Sequence, residues 1–324
     1  AINNAGLVAG SKYQNAMESA FVYGPGGMSS PGSFGSRISL YERATHINNN
    51  GQIAGYAHYT ADDSERAFVS TGNGLRDLGT LGGKQSYLAG INDAGQGAGY
   101  STLASGALRA IATDGHSLTD LGTLGGRHSW ANAINQQGII VGQSLDASDR
   151  QQGFISYGNG MSNLGMLING DKNPYNTWAH DINDRGQVVG AISDLGAYVY
   201  DVNSGKTTKL GLMDGGWTEA VSINNQGQVL GRLYTVSKEL HPFFYSNGGM
   251  TDLNTVLPGI VWDNRIALPL NDAGQIAAAA VVNGQTHAFL LTPVPEPETW
   301  AMLLAGLGIV SYAARRNRRN SSDR

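Results

Sequence analysis

Two acidic clusters and a set of regularly placed aromatics are the residues of this sequence with the types and spacing for chemistry. Asp62, Asp63 and Glu65 form one cluster and Asp146 and Asp149 the other. A glycosidase works with two carboxyl groups held at a fixed separation across a sugar ring. Clusters of this kind also occur as solvated loops, and the spacing along the chain does not tell the two apart. Tyr87, Trp130 and Trp178 each stand five residues before a recurring Asn, and Trp217 stands seven before its own. Such rings can stack on sugar faces or wedge neighbouring structural units together. Near-identical register is what packing demands, so the wedge is the expected role. Stacking is the functional alternative, and these four aromatics with Asp62, Asp63, Asp146 and Asp149 are the candidate ligand-binding residues.

Other catalytic constellations are missing from the sequence. It has no H-E-x-x-H, no G-x-S-x-G and no phosphate-binding glycine loop. The seven His are scattered without a helix-face pair, so no metal site and no cofactor are expected. Asp93, Asp184 and Asp272 lie in Asn-Asp-x-Gly turns that superficially suggest calcium. Each loop offers a single carboxylate, whereas calcium takes about six to eight oxygens. There is no Cys, which excludes disulfides, thiolate metal sites and cysteine nucleophiles.

The elements that would position these residues come from a repeat. The pattern I-N-x-x-G-x-x-x-G is anchored at Asn3, Asn48, Asn92, Asn135, Asn183, Asn224 and Asn271, and every copy has Gly three residues later. Six copies have a second Gly seven residues after the anchor, and the last has Ala278 there. The spacing is close to the roughly 40 to 45 residues of a four-stranded propeller blade. A type I turn favours Asn at its first position and, when a bulge follows, Gly at its fourth, which joins two twisted antiparallel strands. A short apolar strand follows in each repeat, such as Ala67-Phe68-Val69 or Gly153-Phe154-Ile155. A turn and a fourth strand come next, ending in Asp77-Leu78-Gly79-Thr80-Leu81-Gly82-Gly83 or Asp120-Leu121-Gly122-Thr123-Leu124-Gly125-Gly126.

A single sheet of this kind cannot bury both faces, so neighbouring units must pack. Radial packing leaves only short, protected edges. The expected fold is therefore all-β: a seven-bladed β-propeller of four-stranded antiparallel blades over residues 1–292. The loops between second and third strands and the crossings between blades should share one face, and variable loops on a repeated frame are where binding specificity is carried. The seventh repeat lacks its fourth strand, and the expectation is that a segment upstream of Ala1 supplies it. Helix is expected only near the C-terminus. Outside that tail the chain carries 16 basic and 22 acidic residues, a balance that argues against nucleic acid as a partner.

The tail has its own organisation. Val294-Pro295-Glu296-Pro297-Glu298 lies in a Pro/Glu-rich linker (293–299), an apolar run spans 300–314, and Arg315, Arg316, Arg318 and Arg319 follow within 315–324. Fifteen residues are short of the roughly 20 that cross a bilayer, and the basic cluster supplies a cytoplasmic anchor. The run is expected to be a short C-terminal transmembrane helix with the repeats outside the cytoplasm.

His287-Ala288-Phe289, the Asp-Leu-Gly-Thr-Leu-Gly-Gly stretches and the I-N-x-x-G hairpins together resemble the HAF-family extracellular repeat proteins of bacteria. The resemblance implies an exported protein. Only the seventh repeat keeps all of His-Ala-Phe; Arg66, Arg109, Gln152, Gly196 and His241 stand at the first position elsewhere. The tail resembles a PEP-CTERM sorting signal, with Val294, Pro295, Glu296 and Pro297 as the motif and Arg315, Arg316, Arg318 and Arg319 as its basic end. That resemblance implies a Gram-negative bacterium that makes an extracellular polysaccharide or biofilm matrix, with an exosortase as sorting partner. The expected function is a cell-surface or matrix protein, membrane-anchored at least transiently, with a non-catalytic binding or scaffolding role linked to exopolysaccharide or biofilm, its partner being exopolysaccharide or another matrix component. The alternative is an extracellular glycan-processing enzyme on the same frame.

Overall fold

The computed structural model describes residues 1–14, 17–34, 39–169, 175–256, 261–262, 270–282 and 285–292. The chain divides into a large unit, Ala1–Leu290, and a small one, Leu291–Arg324. The large unit is all-β and is built from four-stranded antiparallel sheets in hairpin order. The third repeat shows the plan with Gly82–Ile91, Gly97–Leu103, Leu108–Thr113 and Leu118–Asp120. Separate four-stranded sheets start at Gly125, Thr177 and Trp217. Among the described residues, the sheet of the last repeat has three strands, Val261–Trp262, Ile276–Val282 and Gln285–Leu291. The first three repeats run into one another through single parallel pairs, Glu18 with Tyr41 and Glu65 with Gln85.

Every anchor turn adopts the expected geometry. The anchor carbonyl accepts the N–H of the Gly three residues on, and that Gly has φ between 73° and 80° in all seven copies. The second Gly has a different cause. A Cβ on Gly99 would overlap the carbonyl oxygen of Tyr87, and one on Gly190 that of Trp178. Both lie opposite a β-bulge in the first strand of their repeat, at Leu88/Gly90 and Ala179/Asp181. The same bulge recurs at Ala44/His46, Ala131/Ala133 and Ala220/Ser222. A bulge pushes the bulged strand out of line, and here it presses the strand's backbone against its neighbour.

The anchor Asn does more than start a turn. Its Oδ1 accepts N–H groups inside its own turn, as Asn135 does from Gln137 and Ile139 at 3.1 and 2.9 Å. Its Nδ2 donates to the anchor carbonyl of the next repeat, from Asn3 to Asn48 and onward through Asn92, Asn135, Asn183, Asn224 and Asn271 at 2.9–3.1 Å. An Asn supplies both a donor and an acceptor where Asp supplies only acceptors, which is why the anchor is Asn throughout. The seven anchors are buried, between 1% and 8% exposed.

A second circuit runs one residue further on. Asn4, Asn49, Asp93, Gln136, Asp184, Asn225 and Asp272 each accept, through a side-chain oxygen, the backbone N–H of the corresponding residue in a neighbouring repeat. The circuit returns from the seventh repeat to the first, where Asn4 Nδ2 also donates to Asp272 Oδ2 at 2.8 Å.

Buried hydroxyls in the first strands join neighbouring repeats at the opposite end. Ser86, Ser129, Thr177 and Thr218 accept the N–H of Ala67, Ala110, Gly153 and Ala197 in the preceding repeat at 2.7–2.9 Å. Apolar cores fill the spaces between repeats: one cluster takes Ala54, Ala67, Val69 and Leu78 from the second repeat and Leu88 and Ile111 from the third.

One expectation needs correction. Two short helices, Leu164–Asn169 and Leu253–Val256, follow the fourth strands of the fourth and sixth repeats. Asn163 Oδ1 accepts the N–H of Met166, and Asp252 Oδ1 that of Asn254, which caps these helical turns. Asp77 and Asp120 cap Gly79 and Gly122 in the same way, but there Gly at φ 71° and 81° turns the chain instead.

Candidate functional site

The loops between second and third strands and the crossings between repeats do share one face. Isolated pairs Leu81 with Leu103 and Leu124 with Asp146 bring each crossing beside the end of a second strand. The anchor turns lie at the opposite ends of the same strands. On the loop face, the second and third repeats enclose an open cleft of about 800 Å³ lined by His58, Asp63, Glu65, Lys84, Gln85 and Thr102, with Gly82 and Gly83 at its edge.

The cleft brings part of the first acidic cluster next to part of the aromatic set. Glu65 accepts hydrogen bonds from Tyr41 Oη and from Gln85 Nε2, the latter at 3.0 Å. Gln85 also reaches Tyr87 Oη at 3.3 Å. Four tyrosines then pack in succession: Tyr41 against Tyr56 at 6.3 Å between ring centroids, Tyr56 against Tyr87 at 4.6 Å, and Tyr87 against Tyr100 at 5.0 Å. The Tyr56–Tyr87 contact crosses from the second repeat to the third, and Tyr87 is tied to the cleft wall through its hydrogen bond from Gln85. All four rings remain half-buried. His58 closes one side through Nε2, 2.9 Å from Asp63 Oδ1.

The remaining candidates divide by surroundings. Trp178 meets Trp217 edge-on at 6.0 Å across the fifth and sixth repeats, and Trp217 packs on Tyr234 at 5.4 Å. Trp130 is half-buried with no ring partner among the described residues. Asp62 binds Ser64 and Arg66, which hold its carboxyl below the usual carboxylate range. Asp63 sits in the left-handed region at φ 54° as the tip of its hairpin.

Asp146 repeats the anchor-turn geometry on the loop face. It accepts the N–H of Ser148 and Arg150, while Asp149, at φ 58°, takes the place of the Gly. Burial alone would raise the Asp146 pKa, but those two N–H groups and the Arg150 guanidinium hold it low. Among the described residues the Asp146 oxygens meet only donors, from Ser148 and Arg150, so Asp serves there.

Sequence reasoning did not reach the polar groups inside the ring of first strands. His46, Asn132, His180, Asp181, Ser222 and Arg232 line a cavity of about 510 Å³. Each of the first five lies two or three residues before an anchor, beside the bulge, so the periodicity that located the anchors also points to them. Among the described residues, no group of three or more His, Cys, Asp or Glu is arranged to hold a metal ion.

The residues expected to form the tail signal, Val294, Pro295, Glu296, Pro297, Arg315, Arg316, Arg318 and Arg319, together with the 300–314 helix, lie outside the described residues. Among the described residues no helix is long and apolar enough to cross a membrane. In sequence, residues 293–319 match the PEP-CTERM protein-sorting motif, which implies an exported protein processed by an exosortase.

No curated protein matches the chain by sequence. Among solved structures, the extracellular domain of a hybrid two-component system from B. thetaiotaomicron is 12% identical, with a TM-score of 0.43. The alignment covers 86% of this chain and 36% of that one, so the chain spans about a third of its length. The Aleuria aurantia lectin, solved with Fucα1-6GlcNAc, is 13% identical over 91% of this chain and 96% of its own, with a TM-score of 0.34. AofleA from Arthrobotrys oligospora is 11% identical over 89% of both chains, with the same TM-score.

Proposed function

We propose that this is an exported, non-catalytic surface or matrix protein of a Gram-negative bacterium that binds exopolysaccharide through the cleft between its second and third repeats. The observation that carries the reading is the cleft itself, where His58, Glu65 and Gln85 offer hydrogen bonds, with Tyr41 and Tyr87 hydrogen-bonded behind Glu65 and Gln85. Polar groups set against aromatic rings suit the two chemistries of a sugar, its hydroxyls and its C–H faces. The frame is read as a seven-bladed propeller of HAF-type repeats. Its support is the side-chain circuit that passes through seven turns and returns from Asp272 to Asn4. The run 300–314 is read as a membrane helix that anchors the protein until exosortase processing, with 315–324 on the cytoplasmic side.

Catalysis is disfavoured by what the candidate carboxylates already do. A glycosidase needs one carboxyl protonated as general acid, with its pKa raised. Asp62 and Asp146 are both held low by their partners, and Asp63 and Asp149 shape hairpin tips.

The test is affinity electrophoresis of the full chain in gels containing the producing organism's exopolysaccharide. Gln85→Ala and Glu65→Gln should each weaken retardation at least tenfold while leaving the melting temperature in place. Trp130→Ala and Trp178→Ala separate a sugar platform elsewhere from interrepeat packing: lost binding with unchanged melting moves the site to them. Cleavage of the polymer that disappears in Asp62→Asn or Asp146→Asn would replace the binding reading with an enzymatic one.

A further inference from the structure

The cavity inside the ring of first strands is a second site, separate from the cleft. Ile47, Ile91, Ile134 and Leu270 line both this cavity and the polar funnel at the anchor turns. Ile2, Ile182 and Ile223, the equivalent residues of the other repeats, line the funnel too. The Ile or Leu that precedes each anchor thus forms an aliphatic layer between funnel and cavity. Ala89, Asn132 and His180, beside the bulges of their first strands, form the cavity wall above that layer.

The charged groups around the cavity already have partners, Glu219 in ion pairs and Asp181 in backbone hydrogen bonds. His180 Nε2 lies 2.7 Å from Glu219 Oε1, and Arg232 Nη1 lies 3.8 Å from Glu219 Oε2. Asp181 accepts the N–H of Ile182 and, from the next repeat, of Ile223 at 2.8 and 2.9 Å. Asn132 spends its Nδ2 on the carbonyl of Ala179 at 2.8 Å. Two ring nitrogens that line the cavity are buried without a hydrogen bond among the described residues, His46 Nδ1 and His180 Nε2, and of the two only His180 has a carboxylate beside it. Buried polar atoms are nearly always paired, because leaving one unpaired forfeits its hydration with no return. An anion would face the Asp181 and Glu219 carboxylates, a cation would find their oxygens already taken by N–H groups and ion pairs, and a purely apolar occupant would leave the His46 imidazole unpaired.

We propose that this cavity binds one neutral, polyhydroxylated molecule of monosaccharide size, held by a hydrogen bond to His46 Nδ1. The site does not depend on polymer binding in the cleft.

Isothermal titration of the full chain with D-glucose, D-galactose, D-mannose and L-rhamnose, each alone, tests this. At least one probe should bind saturably. His46→Phe, which keeps a ring but removes both nitrogens, should weaken that probe at least tenfold, and Glu65→Gln in the cleft should leave it unchanged. If no probe binds, or if His46→Phe binds as the parent does, the proposal is overturned. Long-range ¹⁵N NMR of the unsubstituted chain gives a reading that does not depend on how the variant folds. The His46 Nδ1 resonance should move on addition of the binding probe, and an unmoved resonance at saturation would overturn the proposal.

Discussion

Asn135→Asp is a nearly isosteric change that isolates the second role of the anchor. The variant keeps an oxygen to accept the N–H groups of Gln137 and Ile139. It loses the donor that Nδ2 gives to the Asn183 carbonyl at 3.1 Å, and it sets a carboxylate oxygen against that carbonyl at a site 3% exposed. An unpaired buried acceptor costs about 1–3 kcal/mol, and burying an unpaired charge adds to it. The expected destabilisation is therefore roughly 2–4 kcal/mol, or on the order of 4–12 °C in melting temperature for a domain of this size.

The control is Asp146→Asn, where the same turn has no neighbouring carbonyl to serve. It should cost about 1 kcal/mol or less, chiefly from the half-exposed Arg150 pair. Thermal unfolding followed by circular dichroism at pH 7 compares the two. Asn135→Asp should also recover stability on acidification. Its buried carboxyl would have a raised pKa in the folded state, and once protonated it can donate to Asn183 again. Equal melting temperatures for the two variants, or no recovery at low pH, would refute the argument that the anchor is Asn because it must donate.

Gly99→Ala should be among the most damaging single changes, because its Cβ would overlap the Tyr87 carbonyl. A loss of stability smaller than that of Gly106→Ala, whose Cβ meets only open space and whose cost comes from its φ of 79° alone, would count against the bulge account. Asp272→Ala removes the acceptor for the N–H and Nδ2 of Asn225 and for Asn4 Nδ2. Hydrogen exchange should therefore speed up in the first turn, residues 1–14, ahead of the fourth repeat; uniform protection across the chain would contradict the circuit. Burial raises the Asp181 pKa to about 6 despite its backbone hydrogen bonds. A raised folded-state value means that the folded protein holds the proton more tightly, so this group's contribution is full below about pH 4 and is lost as pH rises through about 6. Asp181→Asn should flatten the stability profile across that window, and an unchanged slope would assign it to other groups.

Much of the repeat was legible in the sequence because turns are local. Asn at an anchor and Gly three residues later fix φ and hydrogen bonding within a few residues, and the structure places Gly6, Gly51 and Gly95 in the left-handed region as the pattern requires. The Nδ2 of Asn48 was not legible in the same way, since its partner, the Asn92 carbonyl, lies 44 residues away. The Gly seven residues after the anchor was visible, but its cause, a carbonyl pressed in by a bulge on the adjacent strand, belongs to sheet pairing.

The candidate site was legible in part. Glu65 and Tyr87 were both visible, one as part of an acidic cluster and the other as an aromatic in register. Their link through Gln85 depends on the pairing of Glu65 with Gln85 across two repeats. Asp146 looked like a catalytic or binding candidate by type, and the structure spends its oxygens on a turn. His46 carried no signal as a lone histidine. Its position two residues before an anchor acquires meaning only once the bulge turns the first strand toward the cavity.

The most direct test of the binding claim is a crystal structure of the protein with an oligosaccharide cut from the producing organism's exopolysaccharide. Intact sugar density in the cleft, hydrogen-bonded to Glu65 and Gln85 beside the tyrosines, is the predicted result. An empty cleft with sugar bound elsewhere on the surface, or a cleaved product in the cleft, would contradict it.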